Sequence, residues 1–318
     1  MIVLILLGAG AYVGWNIGAN DTANCVGTTV GCGLISYKRA VILVSVFVIL
    51  GALMDGDHVM KTVGKGIINQ PLDYLAIFVA LLCSGVFVTL ATFFSIPTST
   101  SQAIVGGVLG IGLATGAEIQ YSKLIIIAES WVLCPILVLG LSFGLYFLLT
   151  LFINRLRVGA LLVQNALGLL SILSACYLSY SMGANNAGNA VGPIANLGII
   201  DSQILLAIGG VSIAVGAITF GKKVADTVGK GITPLDIPGA FIAQISSAFG
   251  MHMFSLMGIP VSTSSAIVGA VVGVGLVKGA RSISKKTILT ILMGWVLTPA
   301  LAACTAFLLY KFLKIFVI

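Results

Sequence analysis

Long apolar segments recur along the whole chain, separated by short segments that hold most of its charged residues. In the first half they lie at about 2–33, 40–54, 74–95, 102–116 and 124–153. A helix that spans a bilayer needs roughly 20 mostly apolar residues. The pattern therefore predicts an all-α polytopic membrane protein, with about five membrane segments in each half. No polar segment is long enough to form a soluble domain.

Composition and charge agree with a lipid bilayer as the surroundings of the chain. Hydrophobic residues make up 59% of the sequence and charged residues only 8%, whereas about a quarter of a soluble protein is charged. The net charge of +7 comes from Lys and Arg in short loops, where basic residues set membrane topology. We therefore expect no nucleic-acid partner. The first residues are apolar and indicate a first helix, not a removed signal.

The sequence contains two copies of one unit. The motif GANDTANCVG at 18–27 recurs as GANNAGNAVG at 183–192, which is 165 residues later. The block SIPTSTSQAIVGGVLGIGL at 95–113 recurs as GIPVSTSSAIVGAVVGVGL at 258–276, and shorter blocks (TVGKGI, and WVLCP with WVLTP) recur in the same order. The predicted repeats are 1–157 and 158–318.

An odd number of membrane segments in each repeat predicts that the second copy has inverted topology. Placing Lys38 and Arg39 in the cytoplasm puts eleven of the sixteen basic residues on that side, as the positive-inside rule requires. Both termini are then extracytoplasmic. The third and fourth segments of each copy could be two spans or a re-entrant hairpin, because both return the chain to the side of the membrane from which it entered.

Two sites in each copy favour broken helices near the membrane midplane. One is the Gly/Asn motif, and the other is a proline followed by hydroxyl residues, at Pro97 and Pro260. Ser and Thr are good N-caps, and a helix N-terminus attracts anions. Such side chains often only hold membrane helices together, but their repetition favours binding of one small anion. The candidates are Ser99, Thr100, Ser101, Ser262, Thr263 and Ser264, with Asn20 and Asn185 beside them.

A carboxylate inside the membrane, Asp21, predicts a cation site. Such a group costs at least ~2.5 kcal/mol on insertion scales, and it would repel a bound anion unless a cation lay between them. Hard oxygen ligands suit sodium, with a proton as the alternative. The candidate ligands are Asp21, Asn24, Asn186 and Asn189, and the secondary candidates are Gln102, Gln244 and Glu129. His252 is expected to be a satisfied buried histidine.

The doubled motifs GAND-x-AN-x-x-G and IP-x-STS resemble those of the inorganic phosphate transporter (PiT) family, and the resemblance covers the whole chain. It implies uptake of inorganic phosphate by symport with a cation, with alternating access around a midplane site. The cation is sodium in some members and a proton in others. It also implies inverted repeats, extracytoplasmic termini, a homodimer in the cell (inner or plasma) membrane, and no cofactor besides the transported ions.

Two departures from the family pattern leave the coupling cation and its stoichiometry open. Many relatives carry Glu where this chain has Val48, and often near Gln244. An enzyme is disfavoured, because the sequence has no GxSxG or HExxH motif and no close pair of carboxylates in the membrane. A passive anion channel would not need Asp21. The motifs by themselves fit a sulfate transporter as well as a phosphate transporter, and only the family resemblance favours phosphate.

Overall fold

The computed structural model describes residues 1–93, 98–155, 159–221, 235–279 and 285–316. This part of the chain forms ten α-helices and no strand, in agreement with the predicted all-α class. They are α1 Ile2–Gly31, α2 Tyr37–Lys61, α3 Tyr74–Phe93, α4 Thr100–Thr115, α5 Tyr121–Arg155, α6 Ala160–Ala195, α7 Ser202–Thr219, α8 Ile237–Leu256, α9 Thr263–Lys278 and α10 Lys285–Lys314. Seven membrane-spanning candidates, one of them α2 together with the π-helical turn that follows it, are long and apolar enough to cross a bilayer.

Helices α3 and α4 form a re-entrant hairpin. Ile68, just before α3, pairs with Ile119, just after α4, in an isolated antiparallel bridge. The amide of Gln120 donates to the carbonyl oxygen of Ile67 at 2.9 Å. The hairpin therefore begins and ends at the same end of the molecule, which we call the first face. Two full spans would also return to this face, so the position of the hairpin tip, which meets the second hairpin inside the protein, decides between the two arrangements.

Helices α8 and α9 form a second hairpin at the opposite end, the second face. Asp236, just before α8, lies 2.8 Å from the Lys278 ammonium at the end of α9. The thiol of Cys32, just after α1, contacts the carbonyl oxygen of Leu235 at 3.3 Å. Since α1 ends at the second face, it begins at the first. The Tyr310 hydroxyl of α10 donates to Asp73 at 2.8 Å, so α10 ends at the first face as well.

Glycines allow the helices to pack with their backbones in close contact. A β-carbon on Gly18 of α1 would lie 1.9 Å from the carbonyl oxygen of Ile213 in α7. A β-carbon on Gly183 of α6 would lie 2.0 Å from that of Val48 in α2. Small residues are the usual means of close packing between membrane helices. Here they occur at equivalent positions in the two halves.

The neighbours of each helix correspond between the two halves. Helix α1 packs on α3 and α7, as α6 packs on α8 and α2. Helix α4 packs on α10, as α9 packs on α5. Helices α1 and α6 thus contact each other and the hairpin of their own half, while α5 and α10 each pack on the second helix of the other half's hairpin. The recurrence of neighbours agrees with the recurrence of sequence.

The structure corrects one expectation, because neither Gly/Asn motif interrupts its helix. Helices α1 and α6 continue through residues 18–27 and 183–192. The glycines there serve close packing, and the backbone carbonyl groups remain in intrahelical hydrogen bonds. Those carbonyls are therefore not free to bind an ion. The breaks lie instead between the two helices of each hairpin. Pro97 and the second TVGKGI block, 227–232, lie outside the described residues.

Candidate functional site

The tips of the two hairpins are helix N-termini with serine caps. The Ser99 hydroxyl accepts a hydrogen bond from the amide of Gln102 at 3.3 Å. The Ser262 hydroxyl accepts one from the amide of Ser265 at 3.2 Å. Each cap satisfies one of the amides that a helix start leaves free. The first two amides of each helix are left unused by these caps.

The two tips contact each other in a reciprocal manner. The Ser101 hydroxyl at the start of α4 donates to the carbonyl oxygen of Val261 at 2.7 Å. The Ser264 hydroxyl at the start of α9 lies 3.4 Å from the carbonyl oxygen of Thr98. The two hairpins, which enter from opposite faces, therefore meet inside the protein. Their N-termini form the centre of the candidate site.

Helix α1 places Asp21 beside the α4 tip. Its Oδ2 atom accepts hydrogen bonds from the Thr100 hydroxyl at 3.0 Å and from the Asn186 amide of α6 at 3.1 Å. The same Asn186 amide lies 3.1 Å from the Thr263 hydroxyl at the α9 tip. Asp21 is only 1% exposed. One carboxylate thus links both tips and both central helices.

Two further amides bind the tips crosswise. Asn189 of α6 donates to the Ser101 hydroxyl at 2.8 Å and to Asn186 Oδ1 at 3.0 Å. Asn24 of α1 donates to the Ser264 hydroxyl at 3.0 Å. Asn24 and Asn189 are equivalent residues of the two Gly/Asn motifs, and each binds the hairpin of the other half. Their partners Ser264 and Ser101 are equivalent residues as well. Hydrogen bonds thus join six of the predicted phosphate and cation ligands into one central network, formed by Asp21, Thr100, Ser101, Asn186, Asn189 and Thr263.

Asn20 and Asn185 bind the first helix of each hairpin. Asn20 donates to the Thr92 hydroxyl of α3 at 2.9 Å. Asn185 contacts the Ser255 hydroxyl of α8 at 3.0 Å in either orientation of its amide group. Sequence reasoning missed Thr92 and Ser255. The available signal was their position, since each is a hydroxyl residue seven positions before the capping serine of its hairpin.

Several buried oxygen atoms of this region accept no hydrogen bond from the described residues. They include Asp21 Oδ1 and Asn189 Oδ1, which belong to the central network, and Thr98 Oγ1 beside the α4 tip. A buried oxygen without a donor costs free energy. A cation satisfies such oxygens as a hydrogen-bond donor would. The region therefore offers carboxylate, amide and hydroxyl oxygens to a hard cation.

The site is buried and carries one formal charge. Every predicted phosphate or sodium ligand is buried, the most exposed being Asn24 at 5%. Asp21 is the one charged side chain among the predicted ligands, and no Lys or Arg is among them. Electrostatic interactions at low dielectric are strong. The free helix amides and hydroxyls supply the positive potential for an anion, and Asp21 supplies the negative one for a cation.

The three secondary candidates lie outside this hydrogen-bond network. Gln244 of α8 binds the carbonyl oxygen of Cys25 at 2.9 Å and the Thr29 hydroxyl at 2.5 Å. Glu129 lies on an exposed part of α5. Gln102 begins α4 beside the site, but its side chain lines an apolar cavity of about 640 Å³ between α5 and α10. Its Oε1 atom has no hydrogen-bond partner among the described residues.

Comparison with known families gives one match to nearly the whole chain. The model of the Phosphate transporter family matches residues 17–306. A relative from Chlamydia muridarum, named "Putative phosphate permease", is 28% identical over 99% of this chain and 98% of its own length. The "Inorganic phosphate transporter 2-1, chloroplastic" of Arabidopsis thaliana is 27% identical over 93% of this chain and 70% of its own length.

A solved structure shares the fold over the full length. It is titled "The sodium-dependent phosphate transporter" and superposes with a TM-score of 0.91 at 28% sequence identity. The match covers 99% of each chain. The predicted family resemblance is thereby confirmed. These relatives are permeases and transporters, so the prediction that the chain is not an enzyme is confirmed too.

Proposed function

Because this chain belongs to the Phosphate transporter family, we propose that it takes up inorganic phosphate by symport with a cation, sodium being favoured. The observation that carries the proposal is Asp21, a buried carboxylate with one unpartnered oxygen beside two helix N-termini. The donors at the tips suit an anion, and the unpartnered oxygens suit a cation. The family and the sodium-dependent structural neighbour support this combination.

Phosphate binds, in this proposal, between the tips of the two hairpins. The ligands are the hydroxyls and free amides of Ser99, Thr100 and Ser101, those of Ser262, Thr263 and Ser264, and the amides of Asn20 and Asn185. In the present arrangement these hydroxyls bind protein oxygens, such as Val261 O and Asp21 Oδ2. A tetrahedral oxyanion would replace those partners, since charge-assisted hydrogen bonds are stronger than neutral ones.

Sodium binds beside the phosphate through Asp21, Asn24, Asn186 and Asn189. Without the cation, the Asp21 charge repels phosphate; without phosphate, the cation loses a charged neighbour. Each ion must then tighten the other by the same factor, because binding free energies are reciprocal. This reciprocity is the physical basis of coupled transport. The transported ions are the ligands, and the mechanism uses no other cofactor.

The two halves act, we propose, as inverted repeats, 1–157 and 158–318, and support alternating access. The opposite entry of the two hairpins and the recurring helix neighbours support this reading. The second face is cytoplasmic in this proposal, because Lys38, Arg39 and Arg155 lie there and basic residues favour the cytoplasmic side. Both termini are then extracytoplasmic, in the cell membrane. We also expect a homodimer, which the mass of the purified detergent complex would test.

Uptake of labelled phosphate into proteoliposomes tests the function. An inward sodium gradient should drive accumulation at equal pH on both sides, and a pH gradient without sodium should not. Empty liposomes and the Asp21→Asn variant are the controls. Accumulation with the pH gradient alone would establish the proton-coupled alternative. Competition by excess sulfate as strong as that by unlabelled phosphate would show that the site does not select phosphate over sulfate.

A further inference from the structure

A second polar cluster lies within the helices away from the candidate site. We propose that Asp55, His252, Tyr177 and Tyr180 form a proton-binding site that stabilises the second hairpin in its present position. The cluster joins three helices, since Asp55 is on α2, the tyrosines are on α6, and His252 is on α8. The proposed phosphate and sodium ligands include none of these residues.

The hydrogen bonds of the cluster form one chain. Asp55 Oδ2 accepts from His252 Nε2 at 3.1 Å and from the Tyr180 hydroxyl. His252 Nδ1 lies 2.9 Å from the Tyr177 hydroxyl. The Tyr180 ring stands edge-on to the imidazole, with centroids 5.4 Å apart. Both imidazole nitrogens and one carboxylate oxygen are therefore engaged.

This chain can take up one proton without losing a hydrogen bond. With a neutral imidazole, Nε2–H donates to Asp55 and the Tyr177 hydroxyl donates to Nδ1. A proton from water that binds Nδ1 makes this nitrogen a donor, and the Tyr177 hydroxyl turns to accept. The net charge of the cluster changes from −1 to 0. Inside a membrane protein the neutral state costs less.

The equivalent cluster in the other half of the chain cannot do this. Tyr12, Trp15, Thr89 and Phe220 occupy the positions equivalent to Tyr177, Tyr180, His252 and Asp55. The Tyr12 hydroxyl contacts the Thr89 hydroxyl at 2.5 Å, and the Trp15 ring packs on Phe220 with centroids 5.5 Å apart. The same positions thus touch in both halves. One half has a titratable pair and the other has neutral residues, so the titratable pair is not needed for packing.

Other ionisable groups lie on the helices packed against α8. Asp57 of α2 pairs with Lys61, and His58 of α2 and Glu129 of α5 are not among the hydrogen-bond partners of His252. Asp21 binds Thr100 and Asn186. Tyr146 and Lys278 contact Asp236 at the start of α8. Among the described residues, those that contact His252 are Asp55, Tyr177 and Tyr180. His252 and Asp55 are 19% and 22% exposed at their side chains, so a proton can reach the pair from outside the packed core.

The cluster is connected to the proposed transport site through α8. Ser255 lies one helical turn after His252, and its hydroxyl contacts Asn185 of the candidate site at 3.0 Å. Asp55 attaches this part of α8 to α2. Binding of a proton therefore favours the state in which the second hairpin lies against α2 and α6. By linkage, a state that separates His252 from Asp55 binds the proton less tightly.

The first test measures thermal stability of the purified protein, which does not depend on transport. His252→Gln keeps hydrogen-bonding groups but cannot take up the proton. As pH falls from 8 to 6, the melting temperature of the wild type should rise relative to this variant by about 2 °C or more. The control Thr89→Val, at the equivalent neutral position, should show no pH-dependent difference from the wild type. If the His252→Gln curve runs parallel to the wild type, the cluster is not a proton site.

The second test uses phosphate uptake and rests on the proposed function. The double variant Asp55→Phe with His252→Thr copies the neutral half of the chain. At a fixed sodium gradient, the ratio of wild-type to variant uptake should change by about threefold or more between pH 6 and 8. Protonation of phosphate itself cancels in this ratio. A constant ratio, together with the expected stability change, would overturn the link to transport but not the proton site.

Discussion

Asp21 and Asn186 hold equivalent positions in the two halves of the chain, 165 residues apart, and their side chains touch: Asn186 Nδ2 lies 3.1 Å from Asp21 Oδ2. Equivalent residues of a repeat meet where the two halves meet. The pair therefore marks the centre of the site. Because the first half contributes the carboxylate of Asp21 and the second half the amide of Asn186, the centre has a single negative charge. This charge is compatible with a bound anion only when a cation is also bound.

Asp21→Asn should abolish sodium dependence. The substitution keeps the shape of the side chain but removes the charge that holds the cation. We expect phosphate affinity to become independent of sodium, and sodium-driven uptake to fall at least about tenfold. Calorimetric titration with phosphate, with and without sodium, measures the first effect. An unchanged melting temperature would show that the fold survives. Sodium-driven accumulation by this variant would place the coupling ion elsewhere.

Asn186→Asp should make phosphate binding require more sodium. It places a second carboxylate about 3 Å from Asp21, and two unit charges 4 Å apart repel by roughly 4 kcal/mol at an effective dielectric of 20. At low sodium we expect phosphate affinity to fall by more than tenfold. High sodium should restore part of it. Equal affinity of this variant and the wild type at low sodium would contradict an anion beside this pair.

Ser99→Ala and Ser262→Ala should weaken phosphate binding by roughly tenfold to a hundredfold each, the value of one charge-assisted hydrogen bond of ~1.5–3 kcal/mol. Each change also removes an N-cap, at a cost of about 1 kcal/mol in stability. Ser99→Thr is the matched control, because it keeps a capping hydroxyl. Loss of stability with normal affinity in the alanine variants would show that these serines only cap their helices.

Gly18→Ala should destabilise the protein strongly. Its β-carbon would lie 1.9 Å from a backbone oxygen of α7, and backbone cannot move aside as a flexible side chain can. Gly8→Ala on the same helix is the control, since its β-carbon would meet no atom within 4 Å. We expect a cost of about 2 kcal/mol or more at Gly18 and none at Gly8. Melting temperatures in one detergent compare the two.

Cysteines at Ser122 and Gly159 should be labelled from opposite faces of the membrane. Helix α5 connects them, beginning at the first face and ending at the second. A membrane-impermeant maleimide added outside intact cells should label the Ser122→Cys variant, and permeabilisation should be required for Gly159→Cys. The reverse result would invert the proposed orientation. Labelling of both from one face would contradict the span of α5.

Much of this arrangement follows from local sequence. The apolar segments predicted the helices because a segment in lipid must pair its backbone N–H and C=O groups internally, and a helix does so within one segment. The IP-x-STS blocks predicted the starts of α4 and α9 because Ser99 and Ser262 are good caps. The doubled motifs also contain every residue of the central network. They stand out because a carboxylate inside an apolar membrane segment, such as that of Asp21, is costly and usually functional.

Other features could not be predicted because they depend on contacts distant in sequence. Helix α1 continues through Gly18, which packs against the backbone of α7. This contact cannot be predicted from residues 18–27 alone. The re-entrant course of the first hairpin follows from the contact of its tip with the second hairpin, between Ser101 and Val261. The partners of His252 come from two other helices, so a satisfied buried histidine was the reasonable expectation, and its carboxylate neighbour could not be foreseen.

The re-entrant hairpins also have an electrical consequence. Helices α4 and α9 have the same length, 16 residues each, and run inward from opposite faces, so tips that meet lie near the middle of the hydrocarbon core, which is about 30 Å thick. An ion there has crossed about half of the transmembrane voltage. One charge crossing the whole membrane gains about 2.3 kcal/mol per 100 mV. The occupancy of this site by a cation is therefore set by membrane voltage as well as by concentration.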